Sequence, residues 1–258
     1  KQFISKLLEG NKMWKKAWLM ARTEIRMVFK SRQVKSIPIM VMIMSVIFGG
    51  LWTYWTLLMG LTNPADFNFM TSTIMSIVII MLPIMLPVLI AADSIVGEKE
   101  RHTLVPLLAT PLTDGGLLLG KFLTALIPGL IVAYGNLLLA IAMVNGIVSL
   151  FAPHLLWVWP DILSLLQALI LPLLFSILAV GMMVIISGKA NTVYEAYQTG
   201  GFIILPAMIF AYSGFLASLG LSWVIFYVGI IILVIVDLLL YRAAVKLFNR
   251  DSLIVRSG

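Results

Sequence analysis

The sequence predicts an all-α integral membrane protein. Six transmembrane helices are expected, with an N-terminal amphipathic interfacial helix and a short cytoplasmic helix after the second span. Three observations carry this. Of 258 residues, 61% are apolar and only 11% charged, where a soluble globular chain is about half apolar and about a quarter charged. Five long stretches contain no Asp, Glu, Lys or Arg. Finally, the lysines and arginines fall on one side of the resulting spans. With a mean hydropathy of +1.07 there is more apolar surface than a water-facing domain can bury. A soluble enzyme, a disordered chain and a nucleic-acid-binding domain are thereby excluded, despite the net charge of +7. No cysteine is present, which removes disulfides, thiolate metal sites and a cysteine nucleophile.

A helix needs about 20 apolar residues to cross a hydrocarbon core of ~30 Å. The charge-free stretches are residues 36–65, 67–92, 122–160, 162–188 and 196–236. The first, second and fourth each hold one span. Stretch 122–160 holds one span up to Asn145-Gly146, then a loop whose Trp157 and Trp159 read as an interfacial aromatic belt. Stretch 196–236 is too long for one crossing: as a single helix it would reach about 60 Å. Ser213-Gly214 and Gly220-Leu221-Ser222 offer a turn near its middle. The whole chain, 1–258, then reads as one transmembrane domain with spans at about 37–59, 70–92, 121–145, 162–187, 199–219 and 222–241.

Charge placement supports six rather than five. Ten of the 18 basic residues precede the first span, Lys99, Arg101 and Lys121 follow the second, and Lys189 follows the fourth. Arg242, Lys246, Arg250 and Arg256 follow the sixth. The opposite loops, 60–70, 147–161 and 213–221, carry no Lys or Arg. The positive-inside rule then puts both termini in the cytoplasm, in a multi-pass protein of the cytoplasmic membrane. The basic N-terminal segment has no short apolar core or small-residue cleavage site, so no secretory signal is expected.

Two segments outside the spans are informative. Residues 12–35 place Trp14, Trp18, Ala21, Ile25, Val28 and Phe29 at helical spacing, with Lys15, Lys16, Arg22, Arg26 and Lys30 on the other faces. This predicts an interfacial helix; the alternative is a basic juxtamembrane tail held by anionic lipid. The loop 93–120 opens with acidic and basic residues. It continues as a short apolar element in which Thr103 caps a helix with Pro106 in its first turn. Leu104, Leu107 and Leu108 form a small apolar face, suited to a soluble partner or to the protein's own membrane face.

In this loop the chain has Asp93, Gly97-Glu98-Lys99-Glu100, Thr103-Leu104, Leu107-Leu108, Thr110-Pro111 and Gly120-Lys121. The pattern resembles the permease subunits of type-2 ABC transporters, departing at His102, where Gly is common, and at Val105, where Glu is common. The resemblance extends over nearly the whole chain. It implies the membrane-spanning half of an exporter, working with a second permease (identical or a sister chain) and two copies of a cytoplasmic ATPase. It also implies that Glu98, Lys99, Glu100, Arg101, Thr103, Leu104, Leu107, Leu108, Thr110 and Pro111 form the ATPase-coupling element. ATP and magnesium would sit on the partner, with no cofactor or metal on this chain. A path between the two permeases would be lined by the first, second and fifth spans. Segment 189–198, with Glu195 between Tyr194 and Tyr197, is a second place to meet an ATPase.

Other motifs carry less. Gly115 to Lys121 fits Gly-x4-Gly-Lys but lacks the following Ser or Thr and a preceding strand, so it is no phosphate loop. Ser187 and Ser213 have no general base inside a span, which argues against an intramembrane protease. Polar residues inside spans are costly. Asn136 and Gln167 are expected to bond between helices, with substrate contact as the alternative. Asp237 is expected to pair locally with Tyr241 or Arg242, with a translocation role as its alternative. Rival functions are an ATP-independent channel or secondary carrier and a membrane scaffold. There is neither an acidic ring for a filter nor an inverted repeat. Substituted cysteines test the topology. Ser5→Cys and Ser257→Cys should label only from the cytoplasm, and external labelling at Ser257→Cys would refute six spans.

Overall fold

A helix lets a single apolar segment satisfy all its own backbone groups inside a bilayer, and no strand occurs among the described residues. The structure is a computed structural model. It describes residues 14–15, 17–27, 30, 32–60, 63–101, 114–153, 159–160, 162–187, 190, 192–202 and 222–247. Helix α1 covers 14–15 and 17–27. It is followed by α2 (Arg32–Leu58), α3 (Pro64–Glu100), α4 (Asp114–Phe151), α5 (Ile162–Ser187), α6 (Val193–Gly201) and α7 (Ser222–Leu247). Among the described residues, four stretches are long and apolar enough to cross a membrane: Pro38–Leu58, Gly115–Phe151, Ser164–Ser187 and Tyr227–Ala244. This is an all-helical, multi-pass membrane protein. The expected second span falls inside α3; most of the expected fifth, 203–219, lies outside the described residues.

Element boundaries differ from expectation in several places, among them α4, which starts at Asp114 and ends at Phe151 where a loop to 120 and a span over 121–145 were expected. The N-terminal helix does not run to Lys35: it ends near Met27, and Arg32–Lys35 open α2. Val28 and Phe29 are weak helix formers, and Ser31, a residue type favoured at N-caps, precedes the new start. Helix α3 does not stop at the membrane edge but continues through Glu100. Asp93–Glu100, expected as loop, are therefore its last two turns, as suits the strong helix formers Glu98, Lys99 and Glu100. Trp159, expected in an aromatic belt, is buried against Phe67, Val148 and Ala152. Asn145 Nδ2 donates to its carbonyl at 2.5 Å, which holds Trp159 to α4.

Helix α3 is central, packing against α2, α4, α5 and α6, while α5 also packs on α7. One apolar cluster joins the later half of α3 to α5 through Leu86, Ile90, Val96, Phe175, Leu178 and Met183. The other joins the early part of α3 to the later part of α4 through Phe67, Met75, Leu137 and Val144. Small residues bring the helices close, as is usual where lipid leaves packing as the main attraction. Helices α2 and α7 turn large apolar side chains away from the rest of the chain, among them Phe48, Leu51, Ile231 and Leu239.

The closest approach is between α3 and α4, where a Cβ at Gly129 would collide with the ring of Pro87. A Cβ at Gly49 would meet only the flexible ends of Met75 and Met143. Overpacking against a rigid ring costs about 1–3 kcal/mol, whereas a methionine end can move aside. Gly129→Ala should therefore lower the thermal unfolding midpoint in detergent clearly more than Gly49→Ala. Equal midpoints would show that the α3–α4 crossing is looser than described.

Candidate functional site

The charged end of α3 is where four helices meet. A buried ammonium must find anions or carbonyls, because an unpaired charge away from water is prohibitively costly. Lys121, in the first turns of α4, is buried. Its Nζ donates to Glu98 Oε2 at 2.6 Å, to Ser94 O at 2.5 Å and to Ser94 Oγ at 3.3 Å. Glu24 of α1 lies 3.9 Å away, and Ser94 Oγ donates to its other oxygen at 3.2 Å. Helix α1 reaches this point because its buried face is made of alanines, Ala17 and Ala21. At Gly120 it comes so close that a Cβ would lie 3.3 Å from the carbonyl of Ala17. Burial pushes the Glu98 carboxyl above its usual 4.5, and the Lys121 ammonium pulls it back.

The next three residues turn to other partners. Lys99 Nζ donates to the carbonyl of Ala190 at 3.1 Å. Glu100 accepts from the backbone N–H of Val193 at 3.1 Å, placing a carboxylate on the first turn of α6, where helix N–H groups are unpaired. That helix start is also capped by Thr192, whose hydroxyl accepts from Glu195 N at 3.2 Å. Arg101 turns back to Asp93 of its own helix at 2.9 Å. This pair is exposed and contributes at most about 1 kcal/mol. Beside it, burial and the Asp93 charge raise the Tyr197 hydroxyl above its usual 10, against the pull of Arg101. Four consecutive side chains thus tie α3 to α4, to the segment at Ala190, to α6 and to itself. The cluster joins these parts of the chain to one another.

A family model described as ABC-2 family transporter protein matches residues 27–194, a range that includes Ser94, Glu98–Arg101 and Lys121 but not Glu24. The chain belongs to that family. It is also 32% identical over 121 residues to the probable ABC transporter permease protein NosY of Pseudomonas aeruginosa. That match covers 47% of this chain and 42% of the relative, so the chain spans less than half the length of the relative it matches.

In this ABC-2 family member, Glu98, Lys99, Glu100 and Arg101 are all engaged within the chain. Thr103, Leu104, Leu107, Leu108, Thr110 and Pro111 lie outside the described residues. Asn136 is buried on α4, and Ser45 of α2 donates to its Oδ1, an interhelical bond of the expected kind; its Nδ2 has no partner. Gln167 is buried on α5. The pairing expected for Asp237 is not formed: neither carboxylate oxygen has a partner. Five residues on, Arg242 lies about 140° around the helix and is exposed, while Asp237 belongs to the buried face with Leu233 and Ala244. Lys121 entered the sequence reading only in the distribution of basic residues, within the Gly120-Lys121 pattern and in a rejected phosphate loop, and its partners Glu24 and Ser94 were not singled out. One signal was there: Lys121 is the lone charged residue between Asp114 and Asp161. A cation entering an apolar helix calls for an acid.

Removing one partner of a buried pair is destabilising by about 3–5 kcal/mol, and the partial exposure of Glu98 puts Lys121→Met towards the lower end. Lys121→Met with Glu98→Gln should be the milder change, since no unpaired charge remains. In the single variant the main pull holding down the Glu98 carboxyl is gone and only Arg101 still lowers it, so the fold gains by taking up a proton as pH falls. The stability gap to wild type, read as unfolding midpoint in detergent, should therefore narrow from pH 8 to pH 5. A gap independent of pH would mean that Glu98 is not the group left stranded.

Proposed function

We propose that this chain is the membrane-spanning permease subunit of an ATP-driven exporter in the cytoplasmic membrane. In this reading it crosses the membrane six times with both termini inside, and α1 lies in the cytoplasmic interface. It pairs with a second permease and docks two copies of a separate ATPase chain, which hold ATP and magnesium. The observation that supports the reading is the anchoring of Glu98–Arg101. These residues immediately precede 103–111, the segment with the apolar face Leu104, Leu107 and Leu108. A segment that receives force is useful only if its attachment is stiff. Here the attachment grips α4 through a buried ion pair and α6 through a helix start. ATP-driven closure of the ATPases would displace 103–111, and the junction would carry that displacement into the bundle. Family membership and the relative named as an ABC transporter permease favour this over a channel or a passive scaffold.

The polar groups inside the bundle fit a secondary place in this scheme. Asn136, Gln167 and Asp237 are buried between helices, and in the proposal they border the route opened when the bundle reorients. Division of labour follows along α3: its charged end transmits, and residues deeper in the bundle meet the cargo.

Truncated apolar anchors at interfaces often cost over ~1–2 kcal/mol each. The double substitution Leu107→Ala and Leu108→Ala should therefore weaken ATPase docking at least tenfold. Substrate-dependent ATP turnover should fall with it, while membrane insertion stays normal because both residues lie outside the spans. Wild-type docking and turnover in the double variant would reduce this segment to a surface connection.

A further inference from the structure

Helix α1 presents three distinct sectors. Successive residues turn by about 100°. Ala17, Ala21 and Glu24 fall together on the side packed against the junction, with both alanines fully buried. The adjoining sector carries Trp14 and Trp18, which are 51% and 46% exposed. The next carries Lys15, Arg22 and Arg26, all exposed, and among the described residues no carboxylate lies within ion-pair distance of any of them. Glu24, the one acid of this helix, faces Lys121 and Ser94 instead. Charge is therefore segregated: the acid points inward, and the outward face is purely cationic beside two tryptophans.

We propose that this face of α1 binds anionic phospholipid, with Lys15, Arg22 and Arg26 receiving headgroup phosphates and Trp14 and Trp18 seated beside them. The inference rests on the interfacial placement of α1 given under the proposed function and adds a lipid class to it. Aromatic rings next to cations are the pattern of a membrane boundary. Next in the chain comes α2, which begins at Arg32 and exposes Ile39, Met40, Ile43 and Met44. Because Glu24 on the opposite side of α1 touches Ser94, lipid bound outside bears on the same helix that braces the junction.

The test uses the purified full chain in vesicles, with no ATPase present, so its outcome is independent of ATP-driven transport. The chain has no cysteine, so a fluorophore on Leu19→Cys, an exposed position beside the cations, reports α1 alone. Its quenching by brominated phosphatidylglycerol is compared with quenching by brominated phosphatidylcholine. Preferential quenching by the anionic lipid is expected. It should fall about fivefold for each cation removed in Lys15→Gln, Arg22→Gln and Arg26→Gln and weaken with added salt. The charge-keeping exchange Lys15→Arg, Arg22→Lys and Arg26→Lys should retain it. Equal quenching by both lipids would overturn the proposal while leaving α1 at the interface, with an acidic protein as the remaining occupant. Quenching by neither would overturn the interfacial placement as well. Loss of the preference on adding inorganic phosphate at unchanged ionic strength would also overturn it, marking a site for a free anion.

Discussion

The structure turns on one ammonium group kept away from water. Lys121 has three protons to donate, and its acceptors come from the end of α3, at Ser94 and Glu98, with Glu24 of α1 nearby. Its demand for partners fixes the rotation of α3, so that Ser94 and Glu98 face α4. It also fixes the approach of α1, whose alanines permit Glu24 to come near. With α3 so oriented, Lys99 and Glu100 point to the other side and find Ala190 and the start of α6. Two opposing needs are met at once, the desolvation of a cation and the unpaired N–H groups of a helix end.

The architecture was largely legible in the sequence. Charge-free runs near the thickness of a bilayer leave the backbone little choice but helix, and α2, α4, α5 and α7 follow from that. Less legible were features set by a single contact across the chain. Trp159 is a boundary residue by type, yet Asn145 and its apolar neighbours draw it inward. Asp237 has a cation five residues on, but helical geometry puts the two on different faces. The charged motif was visible as a string, while the division of its four side chains among four partners was not, because that depends on where α4 and α6 pass.

The buried polar groups between the spans form a different population from those at the junction. Ser45 and Asn136 satisfy each other in part and join α2 to α4, and Ser164 donates to Ser72 at 2.8 Å to join α5 to α3. Such bonds contribute about 0.6 kcal/mol on average in membrane proteins. They hold helices in register without making separation forbidding. Asp237 and the amide nitrogen of Asn136 remain unsatisfied, and these are the places where the bundle is least at ease when closed.

The tight crossing of Gly129 over Pro87 has a consequence for how movement can spread. It lies about 12 Å along α4 from Lys121, so α3 and α4 are pinned to each other at two separated points, one ionic and one steric. A rod fastened twice can neither pivot nor slide against its neighbour. Between these two points α3 and α4 are held against each other. In the proposed transport cycle, an opening would fall along the seams this pair makes with α2 and α5.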